Sequence, residues 1–182
     1  MAGAADAGRG LVAVAGPTTA QREHGEERKH ALRARIAALP ASVVALTLGS
    51  GALAAHFVLW GDAAPWGRAE VTGGAIAVFG LTVALWAAAL FRAAGTPIAP
   101  SDRPAQLIEE GPYHFSRHPM YAGTVLTLLG AAISLGVPLL AVSAALFAAL
   151  VATAHVPHEE AQLARRFGGW HRDYASSVRP WL

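Results

Sequence analysis

Residues without Asp, Glu, Lys or Arg gather into four long runs along the chain, separated by polar or turn-rich links. Ile36 to Trp60 carries no such charge and is long enough to cross a hydrocarbon core of about 30 Å with some tilt. Val71 to Phe91 is a second uncharged run and ends at Arg92. A third begins at Pro119 and reaches Leu135, breaks at Gly136-Val137-Pro138, and resumes to Val156, which reads as a helical hairpin with short legs. Pro40 sits in the first turns of the first run, and Trp60 marks its far interface with His56 nearby. Gly49, Gly51, Gly73, Gly74 and Gly80 suit close helix contacts. The expected fold is therefore all-α: a polytopic membrane protein with four transmembrane helices and a C-terminal interfacial helix.

The links divide the rest. Residues 1 to about 21 lack a sustained period and read as a poorly ordered tail, followed by a charged juxtamembrane helix from Arg22 to Arg35. Nothing near Leu11 to Ala15 has the layout of a signal peptide. The domain reading is a cytoplasmic tail over 1–35 and one membrane domain over 36–182, with its catalytic part at 92–182. Between Ala93 and Glu110 the chain is too rich in proline for one helix, with Pro97, Pro100 and Pro104.

Composition agrees with the runs. Hydrophobic residues make up 54% of the 182 residues and charged ones 14%, against about 25% charged in soluble domains. The basic residues flank apolar runs instead of forming a stripe with interleaved aromatics, so nucleic acid is not an expected partner. Without cysteine there are no disulfides, thiolate metal sites or cysteine nucleophile. With four crossings, thirteen of the fourteen Lys and Arg residues share one side and only Arg68 lies opposite. The positive-inside rule then puts both termini and the link at 92–118 in the cytoplasm, with the chain in the cell or inner membrane.

That topology brings two polar clusters to one face. The first, Gly111 to Gly123, crowds Tyr113, His114, Arg117, His118 and Tyr121 at the entry to the hairpin. The second starts at His155 and includes Glu159, Glu160, Arg165 and Arg166, with Pro157 read as the first position of a new helix. Helix axes pack roughly 8–10 Å apart, so His118 and Glu159 can share one site. Leu163, Phe167, Trp170 and Tyr174 recur on one face, an interfacial helix broken at Gly168-Gly169. A metal site from His114, His118, His155, His158 and Glu159 is disfavoured because Pro157 disturbs their register.

The order Gly-Pro-Tyr, Arg-His-Pro-x-Tyr-x-Gly, then Glu-Glu-x-x-Leu-x-x-x-Phe-Gly resembles the isoprenylcysteine carboxyl methyltransferase family and its phospholipid-methyltransferase relatives, over about Arg92 to Leu182. Arg117, His118, Pro119, Tyr121 and Gly123 match the first motif, and Glu159, Glu160, Leu163, Phe167 and Gly168 the second. Trp170-His171 departs from the Glu-Tyr-like pair expected there. The resemblance implies methyl transfer from S-adenosylmethionine to a lipophilic small-molecule or lipid-linked acceptor, with membrane lipid as a partner. It implies cofactor binding by Gly111, Tyr113, Arg117, His118, Tyr121, Glu159 and Glu160. Glu159, Arg165 and Arg166 are the candidate catalytic residues, the arginines orienting an acidic acceptor or meeting lipid head groups, and no metal is implied. The alternatives are an NADPH-dependent sterol-type membrane reductase, whose chains are typically longer, and a non-catalytic membrane protein.

Overall fold

The computed structural model describes residues 26–29, 31–32, 39–62, 69–95 and 107–181. Helix α1 runs over Ala41–Trp60, α2 over Glu70–Ala93, α3 over Pro119–Leu135 and α4 over Pro138–Leu150. A π turn, Val151–His155, joins α4 to α5, Val156–Phe167, and α6 follows over Gly169–Ser177. No strand occurs among the described residues. The chain separates into residues 1–32 and 33–182. In the first unit, residues 26–29 and 31–32 are helical, and Lys29 Nζ lies 2.8 Å from a Glu26 carboxylate oxygen. The remainder of the expected tail, and residues 96–106 of the proline-rich link, lie outside the described residues.

Three helices are long and apolar enough to cross a membrane: α1, α2 and the continuous helix Pro138–Phe167. The fourth apolar helix, α3, has 17 residues, a rise of roughly 25 Å. Large apolar side chains point outward along these helices, Val58 being 84% and Val71 87% exposed. Lipid covers such a surface at no cost, whereas water would not. The apolar part of the last span ends at Val156, and α5 projects beyond it as a strongly amphipathic helix.

Helix ends follow the local residues. Pro40 is the cap before α1, so the helix starts one residue after it, later than the Ile36 expected from hydropathy. Gly136 adopts the left-handed conformation, φ 67° and ψ 30°, ending α3, and Pro138 then opens α4 from a position that needs no backbone donor. The hairpin turn lies where Gly136-Val137-Pro138 predicts it. Pro157 does not begin a new helix, correcting the expectation. The Val156 N–H donates to the Val151 carbonyl, five residues back, and this wider turn accommodates the proline without interrupting the helix.

The closest helix contact pairs α2 with α3. Gly73 faces Gly130 and Gly80 faces Gly123, so two glycines seven residues apart on each antiparallel helix meet. A Cβ at Gly80 would stand 2.7 Å from the Gly123 carbonyl oxygen, and one at Gly123 would stand 2.5 Å from that of Gly80. Backbone occupies the space of a side chain at each crossing. At the far end the Ala69 N–H donates to Ile133 O at 3.3 Å and Ser134 Oγ to Glu70 O at 3.2 Å. A Cβ at Gly51, by contrast, would meet open space, and one at Gly74 only the Ser134 hydroxyl at 4.0 Å. Helix α1 leans on α4 and touches α2 little. Ala45, Tyr121, Phe147, Val151 and Val156 form the core where α1, α3 and α4 meet.

Overpacking a tight contact costs about 1–3 kcal/mol. Gly123→Ala and Gly130→Ala should therefore each lower the thermal midpoint of the detergent-solubilised protein, while Gly51→Ala leaves it unchanged. Equal midpoints for all three would show that the α2–α3 contact is not a stability determinant.

Candidate functional site

The two polar clusters converge at the mouth of the hairpin. Gly111–His114 forms a single 3₁₀ turn, opened by Gly111 at φ 61° with Pro112 behind it, and Pro119 then starts α3. His118 lies at the cap of α3, and the continuous helix carries Glu159 and Glu160 down to it. His118 Nδ1 is 3.5 Å from Glu159 Oε2, and its Nε2 is 3.3 Å from Glu160 Oε1. Arg117 Nη1 reaches the same Glu160 oxygen at 3.1 Å. The Tyr121 hydroxyl donates to Glu159, and its ring stacks on His118 with an interplanar angle of 12°.

These residues line a pocket with about 60 Å³ of free space, closed by Tyr113, Met120, Leu163, His171 and Tyr174 among others. Its charges satisfy one another, Arg117 and, when protonated, His118 against two carboxylates. Three buried polar atoms on its walls have no hydrogen-bond partner: Tyr113 OH, Arg117 Nε and His171 Nε2. Buried polar atoms are normally paired, so the pocket offers unused donors alongside its ion pairs.

Burial disfavours the charged form of His118, but hydrogen bonds to Glu159 and Glu160 outweigh it and raise its pKa above the ordinary 6.5. The same hydrogen bond from His118, against some desolvation and with help from Arg117, lowers Glu160 below 4.5. His171 moves the other way from His118: burial lowers its pKa, partly offset by Glu160. Burial also pushes the Tyr113 phenol up, and Tyr174, by burial and then Glu109, up to about 12.

The chain's last turn braces the loop before α3. The Arg117 N–H donates to Arg179 O at 3.0 Å, and Ser116 Oγ to Pro180 O at 3.2 Å. Ser116 Oγ in turn accepts from the His118 N–H at 3.3 Å, and the Trp181 ring lies 6.3 Å from that of His118. Tyr174 reaches across to donate to the Tyr113 carbonyl at 2.7 Å.

Of the residues expected at the site, Tyr113, Arg117, His118, Tyr121, Glu159 and Glu160 all line the pocket. Gly111 does not; a Cβ there would meet Trp86 and Leu90 of α2 at 3.1 Å. Arg165 and Arg166 are exposed on α5 and outside the pocket, the Arg166 guanidinium lying 5.8 Å from the centre of the Phe167 ring. Gly168, at φ 55°, turns the chain between α5 and α6. The single apolar face expected for Leu163, Phe167, Trp170 and Tyr174 is thereby split: Tyr174 is buried and Trp170 is 57% exposed. Phe91, Leu107, Ile108, Met120, His171 and Tyr174 also line the pocket and were missed in the sequence, where His171 read only as a departure from a motif and Tyr174 as part of an interfacial face. The histidines considered for a metal are dispersed: His114 is exposed, His155 Nε2 donates to Leu39 O at 2.9 Å, and His158 bonds Gln162. Among the described residues no three His, Asp or Glu side chains form a metal-binding group.

The profile of the phospholipid methyltransferase family matches residues 69–169, more than half of the chain. The chain belongs to that family. It is also the family of membrane methyltransferases resembling the isoprenylcysteine carboxyl enzymes. The matched region takes in α2 through α5, starting earlier than Arg92 and ending at Gly169, the first residue of α6. No curated protein and no solved structure matches the chain.

The site histidines should titrate on opposite sides of 6.5, His118 above and His171 below, in histidine ring NMR of the solubilised protein. Glu160→Gln should bring His118 down. For stability, the contribution of His118 is full below 6.5 and lost as pH rises through its raised value. That of Glu160 is full above 4.5 and lost as pH falls through its lowered value, so the pair contributes most between 4.5 and 6.5. His171 opposes it slightly as the pH falls. A His118 resonance titrating below 6.5 would refute the bridged arrangement.

Proposed function

We propose that this membrane methyltransferase uses S-adenosylmethionine as donor, held in the pocket at the mouth of the α3–α4 hairpin, and methylates a lipophilic acceptor presented from the bilayer. The observation that carries the reading is His118, bridged to Glu159 and Glu160 from the other end of the hairpin with Arg117 on Glu160. The amino-acid end of the donor is a zwitterion. Its ammonium answers Glu159 and Glu160, and its carboxylate answers Arg117 and His118, through charge-assisted hydrogen bonds. At this end of the donor one internal set of ion pairs is exchanged for another, and the sulfonium carries the net charge that binding adds. Ligand pockets usually hold about 300–1,000 Å³, so binding parts groups that are in contact in this structure.

The unpartnered atoms of Tyr113, Arg117 and His171 support this assignment, because they offer hydrogen bonds that the protein itself does not use. Tyr113 and Tyr121 provide electron-rich faces for an adenine or a cationic sulfur. Gly111 and Gly123 serve the site indirectly, by seating its loop and helix on α2. When bound, the donor supplies a methyl group already activated by its sulfonium, leaving the protein to position the acceptor and exclude water. Arg165 and Arg166, on the exposed side of α5, are placed for lipid phosphates.

Both termini and the site belong on the cytoplasmic side by the distribution of basic residues. The natural absence of cysteine permits a direct test. Cysteines at Ala2 and Ala175 should be shielded from an impermeant thiol reagent outside intact cells, and one at Ala64 should label. Labelling at either terminus would reverse the topology.

Loss of one charge-assisted hydrogen bond costs about 1.5–3 kcal/mol, roughly tenfold to over a hundredfold in affinity. Calorimetry should show Glu160→Gln and His118→Ala weakening S-adenosylmethionine binding by that factor, with Trp170→Leu close to the parent. Parent-like affinity in both site variants would place the donor elsewhere.

A further inference from the structure

Tyr121 stands between two spaces. It lines the charged pocket, and it also lines a largely apolar cavity of about 410 Å³ bounded by the start of α1, the end of α2, the first turns of α3 and Phe147 of α4. That cavity exists because α2 is clamped to α3 while α1 leans on α4. Free space beside a side chain leaves it other rotamers to adopt, yet the Tyr121 hydroxyl is committed to Glu159. Three rings surround it. His118 stacks on its face, while Phe147 and His155 meet it edge-on, with ring centres 6.4 and 6.2 Å away.

We propose that His155 is a positioning residue for the charged pocket, its ring holding Tyr121 out of the neighbouring cavity so that the Tyr121 hydroxyl stays on Glu159. His155 and Glu159 are four residues apart on one continuous helix and so face the same way. Together they grip Tyr121 at its ring and at its hydroxyl. The His155 ring is itself fixed in rotation, because Nε2 donates to Leu39 O at 2.9 Å. That carbonyl is free to accept because α1 begins only after Pro40, whose own carbonyl takes the first helical N–H groups, those of Val43 and Val44. With the ring proton on Nε2, Nδ1 is left buried without a partner. An unmatched buried polar atom lowers stability, and an aliphatic side chain would pack here without that cost. Packing alone thus does not account for a histidine that is 1% exposed, whereas an aromatic edge of fixed orientation does. The inference rests on the donor reading in one respect: the Glu159 carboxylate that Tyr121 holds is one that meets the donor's ammonium.

The test is a cycle of His155→Leu, Tyr121→Phe and the double variant in the full-length, solubilised protein. Two readouts apply, the His118 titration by ring NMR without donor and S-adenosylmethionine affinity by calorimetry. In His155→Leu the partly exposed Glu159 should turn toward solvent, so that His118 loses one of its two carboxylates and titrates at lower pH than in the parent. Donor affinity should fall about tenfold. Tyr121→Phe should do the same, and the double variant should lose no more than either single one, because both act through one hydrogen bond. His155→Phe, which keeps the aromatic edge, should recover part of both readouts, and His155→Gln, which keeps only an N–H for Leu39 O, should resemble His155→Leu. Circular dichroism and size exclusion report folding. If His155→Leu misfolds, His155→Phe against His155→Gln decides, the ring outperforming the amide. A parent-like His118 titration in His155→Leu, additive losses in the double variant, or an amide that restores more than the ring would each overturn the proposal. A shifted His118 in a protein whose parent binds no donor removes only the donor assignment; donor binding by the parent with His118 unmoved in His155→Leu removes only the role of His155.

Discussion

The close approach of α2 and α3 is the contact on which the remaining geometry depends. Glycines at 73 and 80 meet glycines at 130 and 123, so backbone packs directly on backbone along both helices. In a bilayer this matters more than apolar character, because lipid tails compete equally for any apolar side chain and only fit distinguishes a helix neighbour from lipid. The clamp fixes Phe91 and Arg92 of α2 relative to Met120 and Tyr121 of α3. Phe91 lines the charged pocket and Arg92 the apolar cavity, while Met120 and Tyr121 line both.

Local polar chemistry is laid onto that frame by a helix that does not stop. Pro157 would ordinarily end or kink α4, but the π turn at Val151–His155 absorbs it, and Glu159 and Glu160 stay on a helix anchored in the span. Their reach to His118 is therefore set by helix geometry and not by a loop. His155, within that turn, also ties to the Leu39 carbonyl just before α1. The π turn thus lies where α4, α5 and the entry to α1 meet, and such turns are frequent at functional sites.

Much of this arrangement was legible in the sequence because its causes are local or periodic. Uncharged runs gave the spans, and Gly136-Val137-Pro138 gave the hairpin turn. Antiparallel legs of similar length then brought His118 and the glutamates to one face. The features that were not legible have causes that no short window contains. Tyr174 turns inward and Trp170 outward because Gly168 adopts positive φ, which the spacing of four aromatic or aliphatic residues does not encode. Gly111 and Gly123 sit within functional motifs yet face Trp86, Leu90 and Gly80 of α2, a role visible only once the helices are paired. The clasp of Arg179 and Pro180 on the loop before α3 joins their carbonyls to the Arg117 N–H and the Ser116 hydroxyl more than sixty residues away and leaves no sequence signal.

The region matched by the family profile ends at 169 and begins at 69, so α1 lies outside it. The charged pocket draws its ionic groups from the matched region, at Arg117, His118, Glu159 and Glu160. The apolar cavity takes part of its wall from Pro40, Ala41 and Ser42, at the start of α1. The ionic groups thus come from the matched region alone and the cavity's wall partly from outside it, the two spaces meeting where Tyr121 and Met120 line both. A helix leaning on α4 can be rebuilt with larger side chains while the ionic groups keep their partners. One ionic arrangement can in this way be fitted to molecules of different girth by remodelling a single peripheral helix.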